Sequence, residues 1–298
     1  MIERSVPLPF AIDLPRTFFG LRRGQHDPTC RFDREGIWRA SRTPAGPVTL
    51  RLVPHEDRVE ATAWGEGAEA ALDGVPSLIG CHDDSTGFEP GHPVVARLWR
   101  DFAGVRIPRS GAVTECLVSV VLEQRVTTFE ARRAQSQLVE RWGEAAPGPG
   151  DLFLPPDPEV LAGIAYYDLH VLGVERKRAD TVRRVAASAR RLDALAVLPP
   201  TEAHQRLTQI AGVGKWSAAE VALVALGDAD AVPVGDAHLP SIVTFALTGD
   251  AVDDDDAMLE VLEPFAGHRG RVIRLIGAAG IAPPRHGPRY APRDIRDQ

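Results

Sequence analysis

Between Leu207 and Leu239 the chain sets down Gly212-Val213-Gly214, then Lys215-Trp216-Ser217, then Asp236. Leu207 and Ile210, apolar and three residues apart, close a short helix. Two glycines one residue apart allow a tight turn with positive φ and close approach of another backbone. Lys215-Trp216-Ser217-Ala218-Ala219 then opens a second helix, whose first amides have no intrahelical acceptor and can hold an anion. Gly212, Val213, Gly214, Lys215 and Ser217 together would clamp a phosphate with N–H groups, an ammonium and a hydroxyl, and such a clamp needs little net charge. Asp236 follows the apolar stretch Val232-Pro233-Val234, where partial removal from water would strengthen its field. A carboxylate so placed can stabilise a developing positive charge and orient water. Taken singly, the same residues also fit a plain αα-hairpin and a surface aspartate in an acidic region.

The elements that must hold these groups divide the chain. Val48–Val53 and Arg58–Trp64 alternate apolar and polar residues, and Gly36–Ser41 precedes them across the turn Thr43-Pro44-Ala45-Gly46-Pro47. This pattern predicts an antiparallel meander, followed by a short helix around Ala68–Leu72. Cys81–Pro93, rich in Asp, Gly and Pro, reads as a connection. From about Pro93 the period is helical. Val113–Trp142 reads as one or two helices, and Arg178–Leu198 as a helix starting at Asp180 and Thr181. Trp216–Leu226 reads as another helix, and Pro147–Pro158 as a loop joining helices. The expected fold class is α+β. An N-terminal antiparallel mixed sheet domain occupies residues 1–92 and an all-α domain residues 93–280, with the helix–hairpin–helix at 207–226. An Arg/Pro-rich tail fills 281–298.

A chain of 298 residues with 44% hydrophobic and 25% charged residues can build a sizeable core without disulfide or metal staples. The net charge of -7 excludes a broadly basic coat for nucleic acid, but the charge is segregated. Ten acids and no Lys or Arg lie between Asp228 and Glu263, and seven arginines oppose two aspartates from Pro264 onward. The acidic run Asp253–Asp256 reads as solvated surface, and the Arg-rich tail is a candidate phosphate arm. Cys30, Cys81 and Cys116 are far apart, so neither a structural zinc site nor a disulfide framework is expected. No metal site is expected. A reducing cytoplasm is the expected compartment, since neither a secretion signal nor a membrane span of about 18 apolar residues is visible.

The whole pattern Leu207-x-x-Ile210-x-Gly212-Val213-Gly214-x-Trp216-Ser217-Ala218 resembles the helix-hairpin-helix of the DNA glycosylase superfamily that includes endonuclease III and DNA-3-methyladenine glycosylase II. Val232–Leu239 is similar to the segment that carries the family's catalytic aspartate, at matching spacing. Upstream, Leu122-Glu123-Gln124-Arg125-Val126-Thr127 resembles the Leu-x-Gln-x-Val-Ser segment of the alkylpurine glycosylases. Leu172–Ala179 resembles their Leu-Gly-x-x-x-x-Lys/Arg-Ala junction. These motifs stand in order from about Val113 to Leu239, and the meander is similar to the small sheet domain of the DNA-3-methyladenine glycosylase II branch.

The resemblance implies a monofunctional enzyme that flips an alkylated purine out of double-stranded DNA. It would cut the N-glycosidic bond with Asp236 and leave an abasic site. Where strand-nicking relatives carry a Schiff-base lysine, this chain has Trp216, which would wall the base pocket; a core position is its alternative. Glu220 falls where the branch has a pocket tyrosine, although a solvent-facing glutamate also fits. Arg125 falls where it has an apolar wedge. His238 is expected near a backbone phosphate at the pocket, or as a capping residue, and Phe265 is a pocket candidate. His268, Arg269 and Arg271 are candidates for a second wall or a contact to the DNA backbone, and Tyr166 and Tyr167 are expected in the core. Gln124, Arg125 and Thr127 would join the hairpin in binding DNA. The family's iron–sulfur cluster is not expected, because no four-cysteine run follows Asp236. The resemblance allows a monovalent cation on hairpin carbonyls. The expected partner is damaged duplex DNA, with no membrane and a monomeric protein. The alternative is a DNA-binding protein that keeps the hairpin without excising bases, suggested by Glu220 and Arg125.

Overall fold

A computed structural model describes residues 1–284 and Ile295. Most of the Arg/Pro-rich tail, and with it the candidate phosphate arm at Arg285, Arg289, Arg293 and Arg296, lies outside the described residues.

Five antiparallel strands form the N-terminal sheet: β1 (Ile2–Pro7), β2 (Cys30–Asp33), β3 (Gly36–Thr43), β4 (Gly46–Pro54) and β5 (Arg58–Trp64). Their spatial order is β1-β5-β4-β3-β2. Alternation assigns the faces. Ile37, Val48, Leu50, Leu52, Val59, Ala61 and Ala63 point inward against Leu72, Val75 and Ile79 of the helix Ala68–Leu78 and its end. That helix runs six residues past the expected Leu72, because its apolar stripe continues to Leu78. The strands β1 and β2 were not expected; each is an edge strand with only one neighbour to supply its pattern.

The second face of the sheet is also covered. Trp38 stacks on Trp64 with ring centroids 5.7 Å apart, and Ala40, Leu152 and Leu154 pack with them. The expected 147–158 loop is therefore not merely a connection. It carries the two-residue strand Phe153–Leu154, paired with Glu144–Ala145.

The helical part has two cores. The larger gathers the helices Val113–Glu123, Thr128–Trp142, Arg176–Ala187, Pro200–Thr208 and Lys215–Val221, together with the π-helical turn Ala222–Leu226. The smaller packs Val95 and Leu98 of Pro93–Asp101 against Leu239–Thr248, Asp255–Leu262 and Arg269–Ala278. The helix Pro93–Asp101 thus leaves the sheet domain and joins the C-terminal helices, an arrangement that local periodicity does not encode.

Two expected local features differ. The helix expected to start at Asp180 starts at Arg176. Thr181 lies inside it, with its hydroxyl donating to the Lys177 carbonyl. Tyr167, expected in the core, is 70% exposed, whereas Tyr166 packs against the larger core beneath the Arg176 guanidinium.

Charged side chains tie the sheet domain to the helices. Arg271 and Asp83 are 2% and 1% exposed, and two guanidinium nitrogens reach the carboxylate at 2.6 and 2.7 Å. Arg39 of β3 bonds Glu115 at 2.6 Å. No helix among the described residues is long and apolar enough to cross a membrane.

Candidate functional site

The hairpin joins Pro200–Thr208 to Lys215–Val221. Gly212 has φ +95°, and a Cβ there would lie 2.2 Å from the Thr181 hydroxyl. Both conformation and space therefore demand glycine. Gly214 differs: its φ is -95° and a Cβ would meet nothing within 4 Å. The hairpin is open on the Gly214 side and closed on the Gly212 side.

Gln124, expected to touch DNA, braces this turn. Its Nε2 donates to the Gly212 carbonyl at 3.0 Å and to the Ser217 hydroxyl at 2.9 Å. Ser217, expected to help hold a phosphate, is 2% exposed and bonded to Gln124. Its position on the inward face of the helix removes it from any external ligand. Val213 is also turned inward, and its amide donates to the Ile210 carbonyl at 2.9 Å. Lys215 stays exposed, and the intrahelical ladder begins with Ala218 N donating to Gly214 O at 3.0 Å. Of the expected clamp, Gly214, Lys215 and the first-turn amides remain outward.

Thr127 likewise has a local duty. Its hydroxyl accepts from Glu130 N, and the Glu130 carboxylate accepts from Thr127 N, a capping box that starts Thr128–Trp142. Arg125, between Gln124 and this cap, is exposed and has φ +55°. Phe129, not singled out from the sequence, is 62% exposed in the first turn, with the Arg133 guanidinium 5.9 Å from its ring centroid.

Asp236 meets the hairpin helix from the other core. Its Oδ2 accepts from Trp216 Nε1 at 2.9 Å, and its Oδ1 accepts from the amides of His238 and Leu239, each at 2.9 Å. The carboxylate thus caps the start of Leu239–Thr248, where the helix dipole favours negative charge. Trp216 packs against the larger core and Asp236 stands between Val232 and Leu239 of the smaller, so the pair joins the two helical cores, and both residues are half-buried. His238 is exposed and serves as the N-cap of that helix.

Near the pair lies a polar cluster in which Glu220, singled out from the sequence, is joined by Arg23 and Glu123, which were not. Arg23 comes from the sheet domain, in a loop where Asp27 accepts from the amides of Arg23 and Thr29. Its guanidinium reaches Glu123 at 3.1 Å. Burial works against the Arg23 charge, but Glu123, Cys116, Glu220 and Asp27 raise its pKa overall. Glu220 is half-buried. Burial first, then Glu123 and Asp236, push its carboxyl up to about 7 against the opposing pull of Arg23 and Arg274.

Three expected second-wall residues and the pocket phenylalanine belong to the fold instead. Phe265 is 6% exposed inside the smaller core, with Leu98, Met258 and Val272. His268 packs on Phe88 with ring centroids 5.0 Å apart. Arg269 pairs with Asp230 and Arg271 with Asp83. The junction around Leu172–Ala179 also has a structural reason: buried Arg178 donates to the carbonyls of Leu122 and Gly173, both at 2.9 Å.

The hairpin carbonyls of Ile210, Ala211 and Gly212 accept from Val213 N, Arg184 Nη1 and Gln124 Nε2. Each carbonyl oxygen has a second lone pair, so this donor set suits a monovalent cation, although satisfying the carbonyls does not require one. Among the described residues, no group of three or more His, Cys, Asp or Glu side chains is placed to hold a metal ion.

No family model matches the chain. It is similar to a Bacillus subtilis protein, YfjP, named as a DNA-3-methyladenine glycosylase: 24% identical over 169 residues, 55% of this chain and 58% of that one. It is also similar to a Mycobacterium tuberculosis protein, AlkA, named as a bifunctional transcriptional activator and DNA repair enzyme. That match is 29% identical over 256 residues, 80% of this chain and 49% of the relative. The chain therefore spans about half the length of the curated relatives it matches. Among solved structures, a 3-methyladenine DNA-glycosylase from Archaeoglobus fulgidus has the same fold. Its TM-score is 0.78 at 19% identity, over 92% of this chain and 97% of that one. An 8-oxoguanine glycosylase/lyase from Clostridium acetobutylicum, solved with double-stranded DNA, follows at TM-score 0.64 and 16% identity, over 89% and 90% of the two chains.

Proposed function

The chain has the fold of the helix-hairpin-helix DNA glycosylase superfamily and is similar in sequence to one protein named as a DNA-3-methyladenine glycosylase and another named as a DNA repair enzyme, and on this premise we propose that it is a monofunctional DNA glycosylase for alkylated purines in double-stranded DNA. The observation that carries the reading is the seating of Asp236. One carboxylate oxygen is held by Trp216 Nε1 and the other by two amides at a helix start, beside a hairpin whose Gly214 face is open.

The chemistry follows from these groups. The outward hairpin amides and Lys215 hold a backbone phosphate while the damaged nucleotide leaves the stack. As the N-glycosidic bond breaks, its electron pair goes to the base, and an alkylated purine cation departs neutral. Positive charge grows on the sugar, where the Asp236 carboxylate stabilises it and orients the water that adds to the sugar carbon, the proton that this water loses passing to the carboxylate and on to solvent. Trp216 supplies both the N–H that fixes the carboxylate and an aromatic surface for an electron-poor base. No amine stands at position 216, so the product is an abasic site with the strand intact. A monovalent cation on the second lone pairs of the hairpin carbonyls would add positive charge near the phosphate. A single copy supplies all of these groups, consistent with a monomer.

The test is to incubate the protein with methylated duplex DNA and measure released bases. Alkylated purines are expected in solution with wild type and not with Asp236→Asn, and borohydride should trap no covalent adduct. Absence of release by wild type, or equal release by the variant, overturns the reading. Duplex binding without release would identify a non-excising DNA-binding protein.

A further inference from the structure

Glu220 lies one helical turn beyond Trp216, half-buried like it. Among the described residues no donor lies within hydrogen-bond distance of its carboxyl. The cations near it are committed elsewhere. Arg23 bonds Glu123 at 3.1 and 3.3 Å and approaches the Cys116 sulfur at 3.9 Å. Arg274 donates to the Thr17 and Arg16 carbonyls at 3.0 and 3.4 Å. A carboxyl drawn partly out of water with its acceptors unfilled is costly. It becomes economical when a ligand completes it, and the Trp216–Asp236 seam is where a flipped base would arrive.

We propose that Glu220 is the specificity-determining residue of this site: its carboxyl forms the polar end of the base pocket and selects bases that carry a positive charge or present an N–H. The proposal rests on the glycosylase reading and adds to it the means of choosing a substrate. The groups facing Glu220 come from four elements: Glu123 and Cys116 from Val113–Glu123, Arg23 from the sheet domain, Asp236 from the loop before Leu239, and Arg274 from Arg269–Ala278. Ionised, Glu220 attracts a cationic alkylated purine. Protonated, it turns donor and suits a neutral base that offers an oxygen or a ring nitrogen. Because burial, Glu123 and Asp236 move its titration to about 7, selection for cationic bases sharpens as pH rises through neutrality.

The experiment compares single-turnover release of a cationic lesion, 3-methyladenine, with that of a neutral one, hypoxanthine, between pH 6 and 8. The ratio cancels effects of pH common to both lesions. In wild type the ratio is expected to rise about tenfold, the effect of one moderate charge interaction; in Glu220→Gln it stays flat. A flat wild-type ratio, or the same slope in the variant, overturns the proposal. If wild type releases neither base, the glycosylase reading fails separately. Selectivity is then read as the ratio of Kd values of the wild-type protein for the two lesion duplexes, with the Asp236 charge that helps set the Glu220 titration left in place. The same slope, and its loss on adding Glu220→Gln, is expected; a flat ratio again overturns the proposal.

Discussion

Gln124 holds the hairpin from below with both hydrogens of one amide, at 3.0 Å to the Gly212 carbonyl and 2.9 Å to the Ser217 hydroxyl. Gln124→Ala removes both donors and leaves the Ser217 hydroxyl, on a residue 2% exposed, without its partner. A loss of about 1–3 kcal/mol is expected in urea unfolding. Gln124→Glu is expected to cost at least as much, since a carboxylate can give the Gly212 carbonyl no hydrogen.

The two hairpin glycines are expected to separate folding from binding. Gly212→Ala must force a side chain into positive φ and onto Thr181, so its unfolding midpoint should fall by the equivalent of about 1–3 kcal/mol. Gly214→Ala meets open space and should change stability by less than about 1 kcal/mol. Its effect should appear in duplex affinity, measured by fluorescence anisotropy, because the added methyl stands on the face offered to the phosphate.

Trp216→Phe keeps a ring and deletes the N–H that reaches Asp236 at 2.9 Å. A hydrogen bond to a charged group contributes about 1.5–3 kcal/mol, so single-turnover base release should slow about 10- to 100-fold. Affinity for damaged duplex should change less, since the aromatic surface remains. An unchanged rate would show that the indole does not position the carboxylate.

Glu220 also predicts the pH dependence of folding. Its ordinary value is 4.5, and burial with Glu123 and Asp236 raises it to about 7 in the folded chain. Between those values the folded state keeps a proton that the unfolded state has released. Stability therefore falls as pH rises through this window and levels off above it, by up to about 3 kcal/mol. Glu115, Asp193 and Asp228 are also raised by burial. The Glu220 share is therefore read as the difference between wild type and Glu220→Gln in chemical unfolding at pH 5 and 8.

The meander, the helical half and the choice of Trp216 and Asp236 were legible because each rests on local pattern or on motif order, whereas the hydrogen bond that joins those two residues was not. Alternation fixed β3, β4 and β5, and glycine chemistry fixed the hairpin. What escaped depends on three-dimensional neighbours. Ser217 has a polar side chain at a helix start and still turns inward, because Gln124 awaits it there. Phe265 stands among charges in sequence but faces Leu98 and Met258 in space. His268, Arg269 and Arg271 carry the residue types of a nucleic-acid contact, yet an aromatic ring and two aspartates from elsewhere consume them. Arg23 gave no signal at all. It lies in a loop of the sheet domain, and nothing local announces that Glu123, 100 residues away, is its partner.

That placement of Arg23 bears on how the protein can be taken apart. The first 92 residues hold their own core, which invites cutting them away to obtain a smaller helical reagent. Such a fragment would keep Glu123 and Glu220 but lose the guanidinium between them, and it would also strand Arg271 without Asp83. Anyone building a minimal version should retain the sheet, or neutralise Glu123, Glu220 and Arg271 in the same step.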